Sequence, residues 1–348
     1  MALYVSTPVG TKPDDIERRK SLLEKTLPDY AHRGMEIWFR GSDPETSQDI
    51  RQRLESILGT NYPEKYFLTV QARRRNPKGS DDRFDPANYY DLTTSEGMEN
   101  LYQNARAAKD IGARAVVVAP WIGVFRYPDN YKDEFENPTY RAERIDSAIQ
   151  NAIRVSSAVR IKIALEHPTV PLYGDFNPNI DGSMFDLGFG LFEHTSQVPG
   201  EMLVLDTCHI ESARNVVRRL REGRSIEDTA YVKKGNELFF VPGVVNAQIQ
   251  PSVLKAVKKA KPFEIHYAGF GGNWDPHAEK PTTHIEGNVP GGENDVIGEQ
   301  TFRDITKHLE QRANGEDIVI VAEPNDTDFM NPINSAETLR RIYSWLKE

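Results

Sequence analysis

Short apolar runs alternate with longer amphipathic stretches along the whole chain. Leu3–Ser6, Met35–Phe39, Tyr66–Val70, Ala115–Ala119, Ile161–Leu165, Met202–Leu205, Phe263–Tyr267 and Ile318–Ala322 are each four or five residues of nearly unbroken apolar character. Runs so short and continuous are expected of strands buried on both faces, as in a parallel sheet. The stretches between them carry apolar residues at helical spacing. They are Asp14–Thr26, Thr46–Leu58, Ser95–Asp110, Thr139–Val159, Phe185–Thr195, Ala213–Glu222, Glu299–Gln311 and Ser335–Leu346. Ile50, Leu54, Ile57 and Leu58 form one such stripe. The alternation predicts parallel βα units, and eight of them predict a single (β/α)8 TIM barrel over residues 1–348.

Two stretches break the rhythm. Leu238–Val245 is apolar enough for a strand, but Pro242 and Gly243 inside it argue against a place in the barrel. Residues 228–250 are therefore read as an insertion after the sixth strand, either a hairpin or a subunit contact, leading into the helix Ser252–Lys261. The second stretch is a long loop after the seventh strand, 268–295. Its glycines and Trp274 suit a lid over a bound ligand.

The strand ends carry the chemistry. IKIALEHP closes on Glu166, MLVLDTCH on Asp206, FEIHYAG on His266, IVIVAEPND on Glu323 and YFLTVQARR on Gln71. Active sites of such barrels lie at the carboxyl ends of the strands. Strands five to eight thus deliver Glu166, Asp206, His266 and Glu323 to one place. A lone glutamate at a strand end is an ordinary cap, and a lone histidine an ordinary hydrogen-bonded group. Four in succession fit a hard, oxygen-rich metal site better, for one divalent ion, with Mn2+ preferred and Mg2+, Co2+ or Zn2+ as alternatives. Three carboxylates without a cation would repel one another. His209, three residues after Asp206, can reach the same cavity as a substrate donor, an acid/base or a second metal ligand, the first two being favoured. Trp121 belongs to an aromatic-rich loop, Pro120–Glu136, that is either a pocket wall or a packed loop.

Composition narrows the partners. The net charge of −9 argues against a general nucleic-acid binder, since phosphate neutralisation needs clustered Lys and Arg. The single cysteine, Cys208, fits a reducing, cytoplasmic setting and reads as a small buried hydrophobe. No apolar run approaches the ~20 residues of a membrane span. The first residues, MALYVSTPVG, read as a strand rather than a leader.

LEHP, LDTCH, EIHYAG and AEPND together resemble the xylose-isomerase-like barrels, which include sugar isomerases and epimerases, C-glycoside deglycosidase subunits and endonuclease IV. The resemblance covers strands five to eight. It implies a metal-dependent sugar isomerase or epimerase in which Glu166 and Glu323 exchange a proton beside a metal-bound carbonyl while His209 orients an oxygen. THIEGNVPGGEND resembles a loop of the epimerase branch, which brings His284 and Glu286 forward as substrate contacts. That loop is displaced here from His266 by Gly269–Pro281. The resemblance further implies homo-oligomers, or, for a lyase acting on 3-keto glycosides, a small partner subunit. An endonuclease IV-like phosphodiesterase would need histidines at the third and fourth strand ends, where the chain has Gln71 and Pro120-Trp121. A barrel that only binds a sugar or a partner is the non-catalytic alternative.

Overall fold

The computed structural model describes residues 1–39, 46–72, 92–118, 138–167, 191–223, 232–234, 237–239, 247–271, 286–324 and 331–348. Eight parallel strands close into a barrel with helices outside. In chain order they are Leu3–Ser6 with its continuation Pro8–Gly10, Arg33–Phe39, Tyr66–Ala72, Ala115–Val118, Lys162–Glu166, Leu203–Asp206, Glu264–Tyr267 and Ile318–Ala322. Ring closure is made by the first strand. It pairs on one side with the eighth, Leu3 opposite Ile318, and on the other with the second, through Val5 opposite Arg33 and Pro8 opposite Glu36.

Strand alternation divides the interior into two layers. Ile265 and Tyr267 join the large apolar layer between strands and helices, with Ile37, Val70, Leu165, Leu205 and Ile320. The lumen is filled by Phe67, Ala115, Val117, Ala164, Val204, Phe263, Val319 and Val321. Because successive side chains point to opposite faces, Glu264 and His266 both turn inward. Aromatic rings tie the seventh strand to its surroundings: the Tyr267 ring centroid lies 5.2 Å from Phe302, which stacks on Trp345 at 6.0 Å.

Local chemistry explains where elements start. Thr46 and Asp49 form a reciprocal capping box at the head of the helix Ser47–Leu58. The helix after the sixth strand starts at Thr207, not at Ala213 as the spacing suggests. Asp206 is its N-cap, accepting the Cys208 N–H at 2.8 Å, so strand passes to helix with no loop between them. The fifth helix is described only as one turn, Phe192–Thr195, since 168–190 lie outside the described residues.

An antiparallel pair, Val232–Lys234 with Glu237–Phe239, lies within the stretch read as an insertion and forms no part of the barrel. The two ends of the long loop are tied together. Gly269–Phe270 pairs antiparallel with Glu286–Asn288. The Asp295 carboxylate accepts the N–H groups of Phe270, Gly291 and Ile297 at 2.9, 2.7 and 3.0 Å. Among the described residues no helix is long and apolar enough to cross a membrane.

Candidate active site

Glu166 and Asp206 are the last residues of the fifth and sixth strands, and Glu323 follows the eighth directly. His266 sits one residue from the end of the seventh. One donor atom from each of the four can be chosen so that all lie within 4.8 Å of one another. His266 is fully buried, Glu166 and Asp206 nearly so, and the Glu323 side chain is 20 % exposed. Glu323 and the half-buried His209 therefore mark the side on which the cluster meets solvent.

His266 is the hub. Its Nδ1 lies 2.6 Å from Glu323 Oε2 and 3.4 Å from Glu166 Oε1. Its Nε2 lies 3.1 Å from Glu264 Oε1 and 3.4 Å from Glu36 Oε1. Burial alone would lower its pKa. Glu323, then Glu36, Glu166 and Glu264 outweigh that and raise it well above the ordinary imidazole range. Burial would likewise push Glu166 up, but the adjacent His266 charge, then His209 and the Gln71 amide, hold it at about 2. Gln71 Nε2 donates to Glu166 Oε2 at 3.0 Å, leaving Oε1 turned toward His266. Burial raises Glu323, and the His266 charge only partly offsets it. Burial also pushes Glu264 up to about 8.

His209 is held from outside the cluster. Its Nδ1 lies 2.8 Å from the His167 carbonyl oxygen, so that nitrogen carries the hydrogen. Its Nε2 then faces Asp206 Oδ2 at 3.7 Å. The Thr207 hydroxyl accepts the Ala268 N–H at 3.0 Å and lies 3.1 Å from the His266 carbonyl oxygen, bolting the sixth strand end to the seventh. Cys208 is buried at the start of the helix.

The donor set suits a divalent cation. His266 Nδ1 and Glu323 Oε2 are buried and close, yet neither is aligned in a hydrogen bond. Carboxylate oxygens and an imidazole nitrogen crowded this way are what an ion would hold apart and neutralise. Of the residues singled out from the sequence, Glu166, Asp206, His209, His266 and Glu323 are brought together. Trp121 and His284 lie outside the described residues, as does the side chain of Glu286, whose backbone belongs to the pair with Phe270.

Two members of the cluster escaped sequence reasoning. Glu36 and Glu264 are both fully buried in the lumen, and with His266 they form a second acidic group. The signal was present: MEIWF carries a lone glutamate within an apolar run, and Glu-Ile-His places Glu264 two residues before His266 on one strand face.

No family model and no curated protein matches the sequence. Solved structures do. A D-tagatose 3-epimerase-like protein superposes with a TM-score of 0.52 at 14% identity, over 100% of this chain and 97% of its own. A D-allulose 3-epimerase from Methylomonas sp. gives 0.50 at 12%, over 100% and 99%. Endonuclease IV from Thermus thermophilus gives 0.45 at 13%, over 99% and 98%. At such identities the likeness is one of fold. The chain has the (β/α)8 barrel fold that these two epimerase structures share.

Proposed function

We propose that this chain is a divalent-metal-dependent enzyme of the sugar isomerase and epimerase class, acting by proton transfer beside a carbonyl. The observation that carries this reading is the convergence of Glu166, Asp206, His266 and Glu323 from four consecutive barrel strands to within 4.8 Å. The shared fold with a D-tagatose 3-epimerase-like protein and a D-allulose 3-epimerase supports the reaction class.

In this reading the four side chains hold one ion, Mn2+ by preference. A bound ion supplies Lewis acidity, making a C–H next to a carbonyl easier to ionise. Glu166 is oriented by the Gln71 amide, which suits it to take the proton. Glu323, raised by burial and only partly exposed, suits the opposite role of returning one. His209, with Nδ1 tied to the His167 carbonyl, offers Nε2 to a substrate hydroxyl or carbonyl oxygen. The occupant of the third strand end speaks against a phosphodiesterase. Gln71 points an amide N–H at Glu166, so its nitrogen is a donor and not a ligand.

Turnover in heavy water tests the reading. With a panel of ketoses, aldoses and 3-keto glycosides, deuterium should enter one carbon of the recovered sugar. Glu323→Gln keeps an oxygen for the metal but removes the acid/base group, so exchange should fall ~100-fold or more while the ion stays bound. Asp206→Ala should lose the ion. Loss of an aglycone would turn the assignment to the lyase. Phosphate-ester cleavage without carbon-bound deuterium would overturn the isomerase and the lyase alike.

A further inference from the structure

Beneath the candidate metal ligands, the barrel buries two carboxylates that the proposed chemistry does not use. We propose that Glu264, backed by Glu36, is the positioning residue that fixes the tautomer and tilt of His266, so that only Nδ1 is presented to the metal. This rests on the proposed metal site and concerns how its one nitrogen ligand is set.

The geometry is that of a ring gripped from below. Glu264 and His266 are two residues apart on one strand and share its lumen face. Glu264 Oε1 lies 3.1 Å from His266 Nε2, at hydrogen-bond distance, and Glu36 Oε1 lies 3.4 Å from the same nitrogen. With Glu264 Oε1 and Glu36 Oε1 both turned to it as acceptors, Nε2 is the nitrogen that carries the hydrogen. A neutral imidazole has one N–H, and its lone pair then falls on Nδ1. That is the nitrogen facing Glu323 and Glu166, at 2.6 and 3.4 Å.

Glu36 is itself held. The Trp38 indole N–H donates to its Oε2 at 2.8 Å, turning Oε1 toward His266. The arrangement reaches across the barrel, since Glu36 and Trp38 lie on the second strand and His266 on the seventh. All three residues of the grip, Glu36, Glu264 and His266, have no exposed surface. Burying carboxylates away from water is costly unless something uses them. A partner on the outer nitrogen also makes an imidazole a more basic ligand, and such partners are worth roughly 10- to 100-fold in metal affinity.

The test uses the full chain and Zn2+ alone, a diamagnetic probe. With 15N-labelled histidine, long-range 1H–15N spectra of the Zn2+-loaded wild type should show His266 as the Nε2–H tautomer with Nδ1 coordinated. Chelator competition should then rank the variants. Glu264→Met fills the space without an acceptor and should weaken Zn2+ binding ~10- to 100-fold. Glu264→Gln keeps an acceptor oxygen and should recover part of that loss; Glu36→Gln should cost less than Glu264→Met. The wild-type tautomer is read without any variant, so a misfolded Glu264→Met leaves the inference exposed to refutation. An Nδ1–H tautomer in the loaded wild type would overturn it. So would a folded Glu264→Met that binds Zn2+ as tightly as wild type while Asp206→Ala does not, and in that case the metal site would stand. A wild type that binds no ion would overturn both.

Discussion

Loading the site with a divalent ion should expel a proton from the His266 ring. In the metal-free protein the His266 ring touches four carboxylates, at 2.6, 3.1, 3.4 and 3.4 Å, and stays charged well above the ordinary imidazole range. A metal needs the neutral ring, so at pH 7 each ion must displace about one proton from Nδ1. One proton per ion means about tenfold in affinity per pH unit, or roughly 2.7 kcal/mol between pH 6 and pH 8. The sign is fixed: affinity rises with pH. Stability of the metal-free protein runs the other way. A group whose folded pKa is raised contributes fully below its unfolded pKa and loses that contribution as pH climbs to the folded value. His266, raised from 6.5, and Glu264, raised from 4.5 to about 8, both act in that direction between pH 6 and pH 8. Calorimetric titration of Mn2+ in buffers of different ionisation enthalpy counts the protons, and thermal unfolding with and without the ion follows the two opposite slopes. A binding constant independent of pH from 6 to 8, with no proton released, would refute the argument.

Three further outcomes follow from the packing. Thr207→Val keeps the shape but removes the hydroxyl that joins the sixth and seventh strand ends, and should cost about 1–2 kcal/mol in urea unfolding and weaken metal binding. Gly200→Ala would set a methyl 2.5 Å from the Lys261 carbonyl oxygen and 2.6 Å from that of Ala260, both backbone atoms, so a loss of about 2–3 kcal/mol is expected by the same assay. Asp295→Ala strips three backbone N–H groups of their acceptor and should cost about 2 kcal/mol, with proteolysis appearing first around residues 286–297.

The barrel was legible because its strands are buried on both faces, which writes each as a short unbroken apolar run that no amphipathic helix imitates. The four candidate ligands were legible for a related reason: a charged residue at the very end of such a run has no packing explanation. Glu36 and Glu264 lie inside the runs, where one polar residue among apolar neighbours reads as noise until the pairing across the lumen is known. The start of the helix at Thr207 was hidden by chemistry rather than by pattern. Asp206 serves as strand end and N-cap at once, so the helical spacing alone does not reveal that Thr207–Ser212 is already helix. The grip of Gln71 on Glu166 joins residues 95 positions apart and has no local signature, although Gln71 itself stood out as a strand end.

The ring closure has a consequence for the order of events during synthesis. The first strand is made roughly three hundred residues before its partner Ile318–Ala322, and Glu323 directly follows that partner. Before those residues emerge, a growing chain has an open seam and an incomplete donor set. Closing the ring and supplying the last carboxylate are therefore a single step, and an ion can contribute little to the folding that precedes it. Chains made in metal-poor medium should reach the same closed barrel and take up their ion afterwards, through the solvent-facing side marked by Glu323 and His209.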